Sequence, residues 1–558
     1  MKNIRFLFLS ILLLTTSCES YLDRSPLDRP SSNTFWSNEG ELLLAVNGCY
    51  RTLMYTQTGP IPFFMIFDLM SDIGWNRSAN SLTPIRLGVA TTDNNEFLAI
   101  WQELYKGISS CNLLLENMHR AEAETDPELY ERIAGEAMFL RAFYYFYLNE
   151  LWGGVPLITK SIPLSESQTP RASKAEITDF IINELYAAAE KLPLSYGADD
   201  IGRATKGAAL TLLSRVALYN QQWDVAIDAS KQVMESNVYH LFPDYLKLFY
   251  YENDNASEII LSQRFIRGEQ VHTLPRRIGS RNAGGTSEII PQQALVDAYD
   301  CIDGLPIDES PLYDPLAPQL NRDPRLDYTV VMPGTTFMGY QFETHADSVL
   351  CWNYNVTPAE RIENQDVVNP YATFSGYLFR KYADPTDIED NGNSTLNFIL
   401  MRYAEVLLNY AEAKIENNDI DQSVYDAINQ VRQRESVQMP IIENGKTPAE
   451  MRSIVRKERK SELALEGFRF FDIRRWGIAE EVMNGPSYGR PKISGRPNWL
   501  EQAPQIDEWG TPDYSNVSNK DELRTLETRI FDADKHSVFP IPFQELEVNQ
   551  ALEQNPNW

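Results

Sequence analysis

The sequence predicts a mainly α-helical protein, a scaffold of helical hairpins that carries a loop-rich face with small strands. Three observations point there. Apolar residues recur every three or four positions through most of residues 33–240 and again through 396–480, the spacing that lines one side of a helix. Between them, from about 240 to 395, prolines, glycines and aromatics take over, and short β-branched runs such as DYTVVMPG (327–334) suggest small strands amid loops. A second loop-rich stretch runs from about 484 to 535. Long ordered loops on a rigid frame are where binding residues tend to sit.

Each helical element has its own pattern. Residues 39–54, 95–121 and 128–153 carry the helical period, and 173–193 follows with SKAEITDFIINELYAAAEKLP. Residues 205–235 join an Ala-rich helix, a short NQQWD turn and a second helix, the layout of a tetratricopeptide-like hairpin. Residues 398–417 (FILMRYAEVLLNYAEAKIEN) and 424–434 read as a similar pair. Such hairpins bury their apolar faces only by stacking on neighbours, so 33–558 reads as one domain with two sets of loop insertions.

Across 558 residues the formal net charge is −28, with 43% hydrophobic and 11% aromatic residues. A surface this acidic repels a phosphate backbone, which argues against nucleic acid as a partner. The first 17 residues have the form of an export signal: basic Lys2 and Arg5, an apolar run over 6–14, then small polar residues before Cys18. That run is too short to span a bilayer. A cysteine directly after such a signal is the expected site of lipid attachment, and polar, proline-bearing residues 18–32 read as a tether. Removing 1–17 makes the chain still more negative, so acyl chains rather than surface charge would hold it on a membrane.

Cys49 and Cys111 lie in helical apolar patterns and read as small buried hydrophobes, while a Cys301–Cys351 bridge stays open. Neither the cysteine spacing nor the five histidines suggest a metal centre, and no cofactor motif is evident. Residues 387–392 (DIEDNG) begin like a calcium loop, but Phe398 stands where a bidentate glutamate is required.

In ERKSELALEGFRFFDIRRWG (458–477), Glu458, Glu462 and Glu466 recur at helical spacing, followed by Asp472. Arg452, Arg456, Arg459, Arg469, Arg474 and Arg475 surround them. Guanidinium groups hold carboxylates ionised, whereas a general acid needs a raised pKa. The acids are therefore expected to be scaffold. Thr447, Pro448 and Glu450 form a helix-start signature just upstream.

RYAEVLLNYAEA, ERKSELALEGFRFFDIRRWG and the terminal FPIPFQELEVNQALEQNPNW resemble the C-terminal signatures of the SusD/RagB family, nutrient-binding outer-membrane lipoproteins. SCESYLDRSP, WQELYKGISSCNLLLEN, GEAMFLRAFYYFYLNELWGGVPLI, ALVDAYDCIDGLPI and RDPRL match in family order. The resemblance implies a non-catalytic surface lipoprotein anchored through Cys18, with four tetratricopeptide-like hairpins under a variable face. It further implies an oligosaccharide ligand, or a peptide in some relatives, and a SusC-like TonB-dependent transporter as partner. A lipid-anchored glycosidase and an assembly protein that uses its hairpins only for protein partners are the competing classes.

Sugar rings stack on aromatic faces while Asp, Asn and Arg bond their hydroxyls. The first expected contact set is Asp72, Trp75, Asn76 and Arg77, at a position where the family's loop often contributes to the glycan site. A buried Trp75 is the alternative, and Trp75→Ala separates the two: lost retention with unchanged Tm would mark a surface ring. Trp352 and Tyr354 alternate and would share one side of an extended segment, unless both are structural. Arg281 and Asn282 occupy a glycine-rich turn near the family's binding surface. Trp101, Trp152 and Trp476 lie in the helical motifs and are expected in the core.

Overall fold

Helices form where the apolar period predicts them. The computed structural model describes residues 35–57 and 61–558; the export signal, Cys18 and the 18–32 tether lie outside the described residues. The N-terminal half contains α1 (Glu39–Tyr50), α2 (Asn95–Asn117), α3 (Pro127–Trp152), α4 (Lys174–Lys191), α5 (Lys206–Tyr219) and α6 (Trp223–Glu235). Asn38, Asn94, Asp126 and Thr205 each accept a first-turn N–H, and Ser173 closes a capping box with Glu176. From α2 to α6 each helix packs on the next. The stack continues through α7 (Tyr403–Glu416), α8 (Gln422–Arg432) and α9 (Pro448–Glu462), with α7 set against α6, α8 and α9. The Thr447–Glu450 capping box and Pro448 start α9 as the sequence predicts. A short α10 (Arg469–Arg475) follows.

The aromatic run of α3 is core: Tyr144 and Tyr145 are fully buried, and Trp152 meets Trp101 edge-on at 5.3 Å. Trp476 is only partly buried. Its indole N–H donates to Glu412 at 2.7 Å beneath the Arg456 guanidinium.

The short strands include β1 (Gly74–Asn76), β2 (Ile259–Gln263), β3 (Ile289–Pro291), β4 (Thr336–Phe337), β5 (Tyr340–Gln341), β6 (Leu350–Asn353), β7 (Glu360–Glu363), β8 (Phe398–Arg402), β9 (Gly485–Gly489) and β10 (Arg524–Arg529). β1 pairs with β3, β2 with β8 and β9 with β10, while β4 to β7 form one sheet in the order β7-β6-β5-β4. Residues 398–402 depart from the expected helix. FILMR is buried at every position, so it has no polar face to set a period, and it pairs with β2, which is buried at all but its first residue, before α7 begins.

The acids of the C-terminal signature are scaffold. Glu458 takes Arg325 Nη1 at 2.5 Å and Arg432 Nη1 at 2.8 Å. Glu462 accepts from Arg402 at 2.7 Å, Arg434 at 2.7 Å and Arg325 at 3.0 Å. Glu466 bonds Arg402 Nε and Lys381 Nζ, each at 2.6 Å, and Asp472 bonds Arg459 and Arg475. Burial pushes the Glu462 carboxyl up, but Arg434, Arg402 and Arg325 together hold it far below the ordinary carboxylate range. The expected neighbours mostly serve elsewhere: Arg452 and Arg456 pair with Glu416, Arg469 with Asp72, and Arg474 stacks on Phe470. The cations for Glu458, Glu462 and Glu466 come from distant segments.

Other buried acids shift the opposite way. Burial raises Asp68 to about 7 despite N–H donors from Gly467 and Arg469, and raises Asp297 to about 6 against the pull of Arg322. Burial also opposes ionisation of Glu412, yet Arg475 and Arg459 hold it at about 2. Unfolded carboxyls titrate near ~4. Asp68 and Asp297 therefore contribute stability below about pH 4 that is lost as pH rises through 6 to 7. Glu412 contributes stability above about pH 4.5 that is lost as pH falls toward 2. Tm measured from pH 3 to 8 should peak near pH 4 to 5, and a steady rise to pH 8 would contradict this balance.

Candidate functional site

β1 lies inside the protein. Asp72 is 4% exposed, gripped by Arg469 Nε at 2.8 Å and Nη2 at 2.9 Å, with Lys460 Nζ at 3.3 Å. Trp75 is 6% exposed and donates its indole N–H to Glu527 at 2.8 Å. Its ring lies nearly parallel to Phe374, 5.8 Å away, under the Arg86 guanidinium that also bonds Glu527. Asn76 is buried, and its Oδ1 accepts the Ser78 N–H at 2.9 Å. Pairing with β3 seats the strand in the wall, where a ligand reaches none of these three side chains. The expected contact role of Asp72, Trp75 and Asn76 gives way to a structural one. Arg77, one residue further on, emerges half-buried, with Nη1 donating to Tyr371 O and Nη2 to Thr286 O at 3.0 Å.

The remaining candidates lie around β6, β7 and the segment that follows them. Along β6 the side chains alternate, Leu350 and Trp352 outward and Cys351 and Asn353 inward. Trp352 is 37% and Tyr354 48% exposed, so neither takes the structural role. The Arg361 guanidinium sits 5.2 Å over the Trp352 ring. The Arg281–Asn282 turn folds tightly because Gly284 takes φ +76° and a side chain at Gly285 would strike the Gly279 carbonyl. Asn282 Nδ2 donates to Glu363 O at 3.1 Å and Cys351 Sγ at 3.2 Å, tying the turn to β6 and β7. Cys351 and Cys301 are both buried free thiols, so the possible bridge between them is absent.

Arg281 donates through Nε at 3.0 Å and Nη2 at 2.6 Å to Tyr371 O. Tyr371 is 63% exposed, lifted outward by an Asx turn in which Asn369 Oδ1 accepts its N–H at 2.8 Å. Arg77 flanks the same ring, 5.6 Å from its centroid. Arg77 and Arg281 therefore flank the exposed Tyr371 ring as one cluster, while Trp352 and Tyr354 face outward from β6 on the side away from the Asn282–Cys351 contact. Neither group holds a nucleophile–base pair.

A protein-family comparison matches the SusD family over residues 246–558, the greater part of the chain. The chain belongs to the SusD family. A second family, described as starch-binding and associating with the outer membrane, matches residues 21–218. A SusD-like protein of Bacteroides ovatus is 25% identical over 512 residues, covering 85% of this chain and 83% of that one. The starch-binding protein SusD of Bacteroides thetaiotaomicron is 26% identical over 352 residues, covering 54% and 58% respectively. The crystal structure of a SusD-like carbohydrate binding protein from Bacteroides fragilis superposes with a TM-score of 0.82 at 30% identity, covering 93% of this chain and 100% of that one.

Within this SusD-family fold, sequence reasoning missed Tyr371 and Arg361. The dipeptide Asn369–Pro370 before an aromatic residue was the available signal for Tyr371. Arg361 had none, because its role depends on the register that brings it opposite Trp352.

Proposed function

We propose that this SusD-family protein captures oligosaccharides at the cell surface and passes them, uncleaved, to a SusC-like TonB-dependent transporter in the outer membrane. The observation that carries the reading is the outward pair Trp352 and Tyr354, together with the exposed Tyr371 ring flanked by Arg77 and Arg281. Exposed ring faces held by a rigid sheet and tied loops bury the CH faces of pyranose rings, and the neighbouring donors bond hydroxyls. A shallow, wet face of this kind binds modestly. The names of the B. thetaiotaomicron and B. fragilis relatives, starch-binding and carbohydrate binding, support the ligand class.

Trp352→Ala should weaken retention in polysaccharide affinity gels about tenfold, the loss of one stacking contact. Tm should hold, because the ring is outside the core. Undiminished retention across a broad glycan panel would remove the reading, and release of shortened products would replace it with an enzyme. Cys18→Ala should move the protein from the membrane fraction to the soluble one, and its persistence there would count against the lipid anchor. Co-purification of a β-barrel transporter tests the handover.

A further inference from the structure

A cationic rim borders the proposed sugar face of this acidic protein. Arg77 and Arg281 both donate to the carbonyl of Tyr371. Arg524 Nη1 reaches Thr373 O at 3.3 Å and lies 5.5 Å over the Phe374 ring, which Arg77 also covers at 5.6 Å. Lys492 Nζ touches Val367 O at 3.4 Å. All four cations thus converge on residues 367–374 and bond backbone carbonyls, and none makes an ion pair with an acid among the described residues. The charges also feel one another. After burial, the next influence lowering Arg77 is Arg281, and the next lowering Lys492 is Arg524. Two acids stand nearby and both are engaged: Glu288 pairs with Arg277 at 2.7 Å, and the buried Asp366 accepts the Arg281 N–H at 2.7 Å.

Elsewhere this chain sets guanidinium against carboxylate with short, bidentate geometry, as at Arg86–Glu527, Arg215–Glu405 and Arg475–Glu412. A protein of formal charge −28 has ample acid to neutralise four more cations. Carbonyl oxygens hold these guanidinium and ammonium groups in place without cancelling their charge. Half-buried cations in that state bind an anionic oxygen strongly, because a charge-assisted bond replaces partial solvation.

We propose that the ligand is an acidic oligosaccharide, bearing carboxylate or sulfate groups, whose anions dock on Arg77, Arg281, Lys492 and Arg524 while a neighbouring ring stacks on Tyr371. The proposal rests on the sugar-binding reading above and narrows it. The overall negative field sharpens the selection, since an acidic chain is repelled from the rest of the surface and gains only at this rim.

The test uses the full chain solubilised in detergent and titrated with matched oligomers at physiological salt. Oligogalacturonate is compared with its methyl ester, and a sulfated galactan oligomer with its desulfated form. The acidic member of at least one pair should bind tenfold or more tightly than its neutral counterpart, and raised salt should erode the difference. Preference within the first pair identifies carboxylate, and within the second, sulfate. Lys492→Gln/Arg524→Gln, which gives up one backbone contact per residue, should cut the acidic-to-neutral ratio about tenfold, as should Arg281→Gln. Tm of each variant reports folding separately. Equal or better binding of the neutral members, or a preference that all the variants retain, overturns the acidic assignment while leaving sugar binding standing. Failure of every carbohydrate to bind overturns both.

Discussion

Replacing Glu462 with alanine is expected to cost about 3–5 kcal/mol of stability, the penalty for leaving a buried charge uncompensated. Glu462 is fully buried and shared by Arg325, Arg402 and Arg434. Without it Arg325 keeps Asp323 and Glu458, Arg402 keeps Glu258 and Glu466, and Arg434 keeps Glu258. With Arg432 on Glu458 and Lys381 on Glu466, five buried cations then face four acids, one surplus positive charge. A urea titration reads the loss directly. The exposed capping residue Thr447, changed to alanine, serves as the contrast and should cost about 1 kcal/mol. Equal shifts for the two variants would mean the network is solvated and its geometry unimportant.

Trp75→Ala is expected to cost about 3–5 kcal/mol as a large cavity opens in the wall. The substitution also strips Glu527 of its indole donor and removes the ring beneath Arg86. Burial opposes ionisation of Glu527, yet the Arg86 hydrogen bond, with the charges of Arg529 and Arg86, holds it at about 2, and the indole N–H adds to that. This reverses the outcome expected when Trp75 is read as a sugar platform. A markedly lower Tm with part of the glycan retention preserved is the predicted result. Unchanged Tm with retention abolished would restore Trp75 to the binding surface.

The helical frame was legible because its signals are local. A period of three to four residues and a Thr–Pro–x–Glu start mark helices such as α3 and α9 whatever lies around them. FILMR misled because a strand buried on both sides carries no period. The candidate face was legible only in part. Alternation in CWNYN correctly placed Trp352 and Tyr354 on one side, but which side faces solvent depends on pairing with β7 and β5. DLMSDIGWNR has every residue type a sugar site needs, and the same types also build a buried ion pair once Arg469, far along the chain, comes to meet Asp72. The rim of cations escaped notice for a related reason. Arg77, Arg281, Lys492 and Arg524 are scattered in sequence and gather only around the fold of 367–374.

The charge network around Glu462 also bears on how such a chain matures. Arg325, Arg402 and Arg434 precede their common counter-charge, so a nascent polypeptide that stops short of α9 carries cations it cannot bury. The helical stack then lacks its keystone until that helix arrives.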